Sequence, residues 1–154
     1  MFKAKKSLGQ NFMINPHILD KIVASAEISE NDVILEVGPG TGNLTKKLAE
    51  KAGRVLAIEK DHRLIEPLKE AFGAQLNVEI IEGDILKLNP TELLRYCAND
   101  YKIVANIPYY ITSHFLKTIF DKWPRPKLIV LTIQKEVGER MTAKPPHMNL
   151  LALS

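Results

Sequence analysis

The sequence predicts an α/β fold built on a parallel sheet, and three observations carry that prediction. Short apolar runs alternate with amphipathic segments of about ten residues, the pattern of β-α-β units. The runs contain almost no internal polar residues, as strands covered on both faces require. The chain has 154 residues, of which 45% are hydrophobic and 25% charged, which suits one soluble globular domain and is too apolar for disorder.

The elements follow in order. Asn15-Pro16 is a helix start, an Asn N-cap with Pro at the first helical position, and Ile18, Leu19, Ile22, Val23 and Ala26 form its apolar face. Val33–Val37 is a short buried strand running into a Gly-rich loop. Leu44, Leu48 and Ala52 mark a helix that Gly53 is expected to stop. Val55–Ile58 is a second strand. Leu64, Ile65, Leu68 and Phe72 mark a helix in which Pro67 must produce a kink or move the start. Val78–Ile81 is a third strand, and Asn89-Pro90 with Glu92 opens another helix. Lys102–Asn106 is a fourth strand. Phe115, Leu116, Ile119 and Phe120 lie on a helix ended by Trp123-Pro124, and Leu128–Ile133 is a fifth strand. Val137 and Met141 belong to a short helix, and Asn149 onward reads as a sixth strand, unfinished at Ser154.

Composition narrows the class. A single cysteine, Cys97, excludes an internal disulfide framework and any Cys-rich zinc site, and it reads as packing on the apolar side of a helix. His17, His62, His114 and His147 are scattered without ligand spacing, so no metal is expected. No apolar run reaches the roughly 20 residues of a membrane span, and the basic start lacks a secretory apolar core. A cytoplasmic protein is the expectation. The net charge is only +3, but basic ends flank an acidic middle. Residues 1–6 carry +3 through Lys3, Lys5 and Lys6, residues 61–100 carry −4, and residues 122–147 carry +4. Either a polyanion partner or ordinary solvated surface accounts for this.

In an open parallel sheet, ligands bind beyond the carboxyl ends of the strands. Four polar or Gly-rich signals fall at four successive strand ends: Glu36 to Gly42, Glu59, Gly83-Asp84 and Asn106 to Tyr109. Gly38, Gly40 and Gly42 permit a tight turn and close backbone approach to a ligand, although an ordinary strand-to-helix turn has the same needs. Their G-x-G-x-G spacing is not the dinucleotide fingerprint, which would place Gly where Asn43 stands. Glu59 lies 21 residues after Gly38, the separation at which an acid accepts from ribose hydroxyls; a capping acid is the alternative. Asp84 is placed to accept from an adenine amino group, or else to make an Asx turn. The set describes a nucleoside pocket without a pyrophosphate site, which fits S-adenosylmethionine.

Asn106-Ile107-Pro108-Tyr109 suggests the acceptor. The exocyclic amine of adenine is a poor nucleophile because its lone pair is delocalised into the ring. The Asn106 side-chain carbonyl and the backbone carbonyl of Ile107 or Pro108 are placed to accept its two N–H bonds and localise that pair. Pro108 fixes the backbone, and Tyr109 offers a ring for stacking, with Phe12 or Tyr110 on the other side. A Pro turn with Tyr109 as a core aromatic is the alternative.

On these motifs the chain resembles the ribosomal RNA adenine dimethyltransferases of the small-subunit type. The matching residues are Ser7-Leu8-Gly9-Gln10-Asn11-Phe12, Glu36 to Thr45, Glu59, Gly83-Asp84-Ile85, Asn106 to Thr112 and Gln134 to Val137. The resemblance spans essentially the whole chain. It implies a Rossmann-like S-adenosylmethionine-dependent methyltransferase sheet with flanking helices. It implies dimethylation of the 6-amino groups of two adjacent adenosines near the 3′ end of small-subunit (16S) rRNA. By motif, Asn11, Met13, Gly38, Gly40, Glu59, Asp84 and Asn106 would bind the cofactor, and Asn106 to Tyr109 would hold the adenine. Met13 departs from the Leu common in the family, a change that backbone contact should tolerate. Lys3, Lys5 and Lys6 are the RNA-contact candidates. The implied organisation is one methyltransferase domain, an arm and helix over 1–30 and a core over 31–154, stopping within the sixth strand and lacking the family's C-terminal helical domain. The implied partner is small-subunit rRNA or the pre-30S particle, bound by a monomer without metal or membrane. The competing readings are a 23S rRNA adenine methyltransferase and an rRNA-binding assembly factor without turnover.

Overall fold

The computed structural model describes residues 15–91, 100–107 and 109–144, with Tyr109 and Arg140 described by their backbones. Five strands form one sheet: β1 (Val33–Val37), β2 (Arg54–Glu59), β3 (Val78–Glu82), β4 (Tyr101–Ala105) and β5 (Leu128–Leu131). Every pair is parallel and the order is β3-β2-β1-β4-β5. The helices are α1 (Pro16–Ser25), α2 (Asn43–Ala49), α3 (His62–Phe72), α4 (Thr112–Lys122) and α5 (Lys135–Met141), with a 3-10 turn over Tyr109–Ile111 before α4.

The side-chain alternation of strands divides the core into two faces. Ile34, Val55 and Val104 point toward α1 and α2, where Leu19, Ile22, Val23, Leu44 and Leu48 cover them. α3 joins this layer, with Leu64, Leu68 and Phe72 against Val78 and Ile80. Leu35, Val37, Leu56, Ile58, Ile103 and Ala105 point to the opposite face, covered by Phe115 and Ile119 of α4 and by Trp123. The Tyr101 hydroxyl donates to the Pro124 carbonyl at 2.6 Å, which allows a phenol to be fully buried.

Several local expectations are met by a specific contact. Asn15 Oδ1 accepts the His17 amide at 3.0 Å, capping α1 with Pro16 at the first helical position. Asp61 caps α3, which starts at His62 and runs through Pro67, so the proline does not move the start. Asn89 Oδ1 accepts the Thr91 amide at 3.0 Å, the cap predicted there. Glu92 and Cys97 lie outside the described residues, as does the sixth strand from Asn149.

Three expectations are corrected. Gly53 does not stop a helix, because α2 already ends at Ala49. Its role is close packing: a Cβ there would lie 2.2 Å from the Glu30 carbonyl oxygen. Phe120 does not face the core. It is 62% exposed, while Thr112 and Thr118 take buried positions on α4. The Thr118 hydroxyl is satisfied by the His114 carbonyl at 2.8 Å, so its burial leaves no polar atom stranded. The fifth strand ends at Leu131 rather than Ile133, although the Thr132 amide still donates to the Ala105 carbonyl at 3.0 Å.

Candidate functional site

The sheet order places β1 beside both β2 and β4, and the connections diverge there. β1 to β2 to β3 runs one way, and β4 to β5 the other. The carboxyl end of β1 is therefore the topological switch point, where an open α/β sheet forms its ligand crevice. The register keeps the strand ends level: Val37 pairs with Ile58 and with Ala105, and Glu59 with Glu82. Gly83-Asp84, Glu59-Lys60, the glycine loop and Asn106 thus sit side by side at one edge of the sheet.

The glycine loop needs its glycines. Gly38, Gly40 and Gly42 have φ of +73°, +60° and +82°, the left-handed region that L side chains resist. A Cβ on Gly42 would also lie 2.6 Å from the Phe72 ring. At Gly38 the nearest atom to such a Cβ is the Asn106 carbonyl oxygen, 3.6 Å away. The first and fourth strand exits therefore run side by side, close enough that a side chain at Gly38 would touch the Asn106 carbonyl.

Glu59 is 5% exposed and its carboxylate is held at both oxygens. Oε2 accepts the Gly40 amide at 3.1 Å and Oε1 the Asp61 amide at 2.7 Å. Burial pushes its pKa up, and these amides act against that push. The backbone adds two more ties: the Gly38 amide donates to the Ile58 carbonyl at 3.0 Å, and the Gly83 amide to the Glu59 carbonyl at 2.8 Å. Glu59 thus ties β2 to the glycine loop. Each carboxylate oxygen has two lone-pair sites, so this tie leaves acceptor capacity for a ribose.

Asp84 makes an Asx turn, with Oδ1 accepting the Leu86 amide at 3.1 Å. Its Oδ2 lies 2.9 Å from the Lys60 ammonium. Burial raises its pKa, but Lys60 and the Leu86 amide outweigh burial and the net shift is downward. The turn reading and the acceptor reading of Asp84 are therefore compatible, since they use different oxygens.

Asn106 is half-buried and Ile107 is buried in the core beneath the site. Tyr110, 57% exposed, stands at the outer rim. Asn11, Phe12, Met13, Lys3, Lys5, Lys6 and Pro108 lie outside the described residues, and the Tyr109 ring is not described.

Glu36, which opens the loop motif, has a distinct character in the structure. It points to the α2 face of β1 and is 1% exposed. Neither carboxyl oxygen has a hydrogen-bond partner, and nor does the hydroxyl of fully buried Thr45 on α2. Burial lifts its pKa to about 8; nearby Thr45 acts against this and the charge of Glu59 adds to it. At neutral pH this carboxyl is mainly protonated. A glutamate inside an otherwise apolar strand was the signal available in the sequence. Nothing adjacent to Lys60 in the sequence indicates that it reaches Asp84.

Among the described residues, no group of three or more His, Cys, Asp or Glu is arranged to hold a metal ion. No described helix is long and apolar enough to cross a membrane.

A family model described as "Ribosomal RNA adenine dimethylase" matches residues 1–154. The chain is 46% identical to the ribosomal RNA small subunit methyltransferase A of Alkaliphilus oremlandii, over 99% of this chain and 54% of that one. It is 45% identical to the protein of that name from Dehalococcoides mccartyi, over 99% of this chain and 52% of the other. The chain thus spans about half the length of these curated relatives. Among solved structures, a dimethyladenosine transferase from Plasmodium falciparum aligns with TM-score 0.75 and 38% identity, covering 87% of this chain and 47% of that one. The 23S rRNA methyltransferase ErmE aligns with TM-score 0.76 and 30% identity, covering 86% and 51%. With a Rossmann-like sheet, a left-handed glycine loop and Asn106 meeting at its switch point, and a family match over its whole length, this chain belongs to the ribosomal RNA adenine dimethylase family.

Proposed function

We propose that this chain forms the catalytic part of an S-adenosylmethionine-dependent adenine dimethyltransferase. Its substrate is two adjacent adenosines near the 3′ end of small-subunit rRNA, in the cytoplasm and in the course of ribosome assembly. The observation that carries the reading is the juxtaposition of Gly38 and Asn106 at the exits of the paired strands β1 and β4. It brings the nucleoside-type loop and the candidate adenine-holding segment to one point.

The residues suit the cofactor. Gly38, Gly40 and Gly42 present no Cβ at the three left-handed positions of the loop, and the acids around it, Glu59 and Asp84, favour a cationic nucleoside over a pyrophosphate. Glu59 would take the ribose, Asp84 the adenine amine, and Gly38, Gly40, Asn11, Met13 and Asn106 the remainder. When bound, S-adenosylmethionine supplies an electrophilic methyl group. The Asn106 side-chain carbonyl and the backbone carbonyl of Ile107 or Pro108 would accept the two N–H bonds of the target adenine, with Tyr109 and Phe12 stacking on the base. Positioning carries most of such a transfer. The base must leave its stack first, at a cost of a few kcal/mol in a duplex. Lys3, Lys5 and Lys6 would meet RNA phosphates, so binding should weaken with salt.

The small-subunit substrate is preferred over 23S rRNA because the relatives at 45–46% identity carry small-subunit names, whereas the 23S enzyme aligns at 30%. The test is methyl incorporation from S-adenosylmethionine into undermethylated small subunits by the 154-residue chain. Incorporation that Asn106→Ala abolishes supports the reading. Tight RNA and cofactor binding without turnover supports an assembly factor, and incorporation into 23S rRNA supports the other enzyme.

A further inference from the structure

Lys60 directly follows Glu59 at the end of β2, and its ammonium reaches across to β3, 2.9 Å from Asp84 Oδ2. The Lys60 side chain is 62% exposed and that of Asp84 only 16%. The pair is therefore asymmetric: the carboxylate is lodged in the pocket wall, and the lysine comes to it from solvent. Tyr110, at the rim beyond β4, lies near enough to act electrostatically on Lys60. The lysine thus bridges the exits of β2 and β3, one residue beyond Glu59.

The other Asp84 oxygen is fixed by the Leu86 amide, and two further amides, of Lys87 and Leu88, donate to the Asp84 carbonyl at 2.8 and 3.0 Å. The turn therefore holds Asp84 in place without help from Lys60. Oδ1 is engaged by the turn, and Oδ2 is the oxygen that Lys60 covers.

We propose that Lys60 is a displaceable latch on the adenine subsite, a residue that sets cofactor affinity by competing for Asp84 Oδ2. The inference rests on Asp84 as the adenine acceptor. An entering adenine amine takes that oxygen and the ammonium moves into solvent, where its exposed stem already lies. An exposed ion pair has little net strength, so the latch lowers affinity modestly rather than closing the site.

The experiment is calorimetric titration of the 154-residue protein with S-adenosylhomocysteine. The variants are Lys60→Met, Lys60→Arg, Asp84→Asn and the Lys60→Met/Asp84→Asn double substitution. Lys60→Met, which keeps the stem and removes the charge, should tighten binding by about two- to fivefold. Lys60→Arg, which keeps the ion pair, should stay within about twofold of wild type. The gain should vanish in the Asp84→Asn background and shrink at high salt, where the pair is screened. Weaker or unchanged binding by Lys60→Met, with Asp84→Asn still impaired, overturns the latch and leaves the Asp84 reading intact. Unchanged binding by Asp84→Asn overturns both, since no subsite would remain for the lysine to guard.

Discussion

The two halves of the crevice are built differently. On the β1–β2–β3 side the strand exits are tied to each other. Gly38 bonds to Ile58, Gly40 to Glu59, and Gly83 to Glu59. On the β4–β5 side the Thr132 amide donates to the Ala105 carbonyl, and the chain leaving β4 turns into the 3-10 segment at Tyr109–Ile111. β5 also forms the end of the described sheet, and all four of its residues are only partly buried. The comparison separates two tasks. The half expected to hold the cofactor is preorganised by hydrogen bonds between its strand exits, whereas the half expected to hold the base follows the exit of β4, next to the partly buried end strand of the described sheet.

That separation can be broken by substitution. Asn106→Ala should have the largest effect, a loss of about 10²–10³ in methyl transfer, as for removal of one preorganised polar contact to a reacting group. S-adenosylhomocysteine affinity should fall by much less than this, because Asn106 is one of several residues placed on the cofactor. Single-turnover rates beside calorimetry measure both, and equal losses in the two would merge the halves. Glu59→Ala should do the reverse. Losing charge-assisted bonds of about 1.5–3 kcal/mol predicts roughly 10–100-fold weaker cofactor binding. Affinity within twofold of wild type would show that Glu59 only braces the loop.

Glu36 sharpens the contrast within the preorganised half, since it has no partner where Glu59 has two. Its pKa is raised from 4.5 to about 8, so between those values the folded state holds a proton that the unfolded state lacks. Stability should therefore fall as pH rises through that window, by up to about 1.4 kcal/mol per pH unit, and level off above it. Glu59, also raised, adds in the same sense. Glu36→Gln should flatten most of this slope and be the more stable protein at pH 8. Denaturant unfolding across the pH range checks it, and an unaltered slope would mean that Glu36 gains a partner in solution.

The smallest effect is expected at the opposite end of the scale of burial. Asp20 pairs with Lys47 between α1 and α2, and its side chain is 61% exposed. Asp20→Asn should leave the denaturant midpoint of unfolding unchanged within measurement error. A measurable loss would indicate that the α1–α2 seam depends on charge rather than on Leu19, Ile22 and Leu48.

Much of this molecule is legible in its residues. Apolar runs such as Val33–Val37 can only be buried strands, and Asn15-Pro16 and Asn89-Pro90 act locally through their own caps. The G-x-G-x-G spacing announces positive φ, because only glycine occupies three left-handed positions in five residues without strain. Burial on α4 was less legible: Phe115 and Ile119 were correctly inward, but Thr118 displaced Phe120 from the core. A threonine can satisfy its hydroxyl on its own helix, and hydrophobicity alone does not reveal which side of the stripe the sheet covers.

What the sequence determined by itself was therefore the local and periodic part: the strands, the capped helices, the left-handed loop and the candidate set Glu59, Asp84 and Asn106. Only the tertiary structure decided how those groups are partnered. Glu59 spends its carboxylate on the loop, Asp84 meets Lys60, Gly53 yields to the Glu30 carbonyl, and Glu36 stays protonated in the interior. Each is an interaction between residues distant in sequence, or a desolvation set by everything packed around one atom. Propensity and spacing act along the chain, whereas hydrogen-bond partners and dielectric environment exist only once the sheet has assembled.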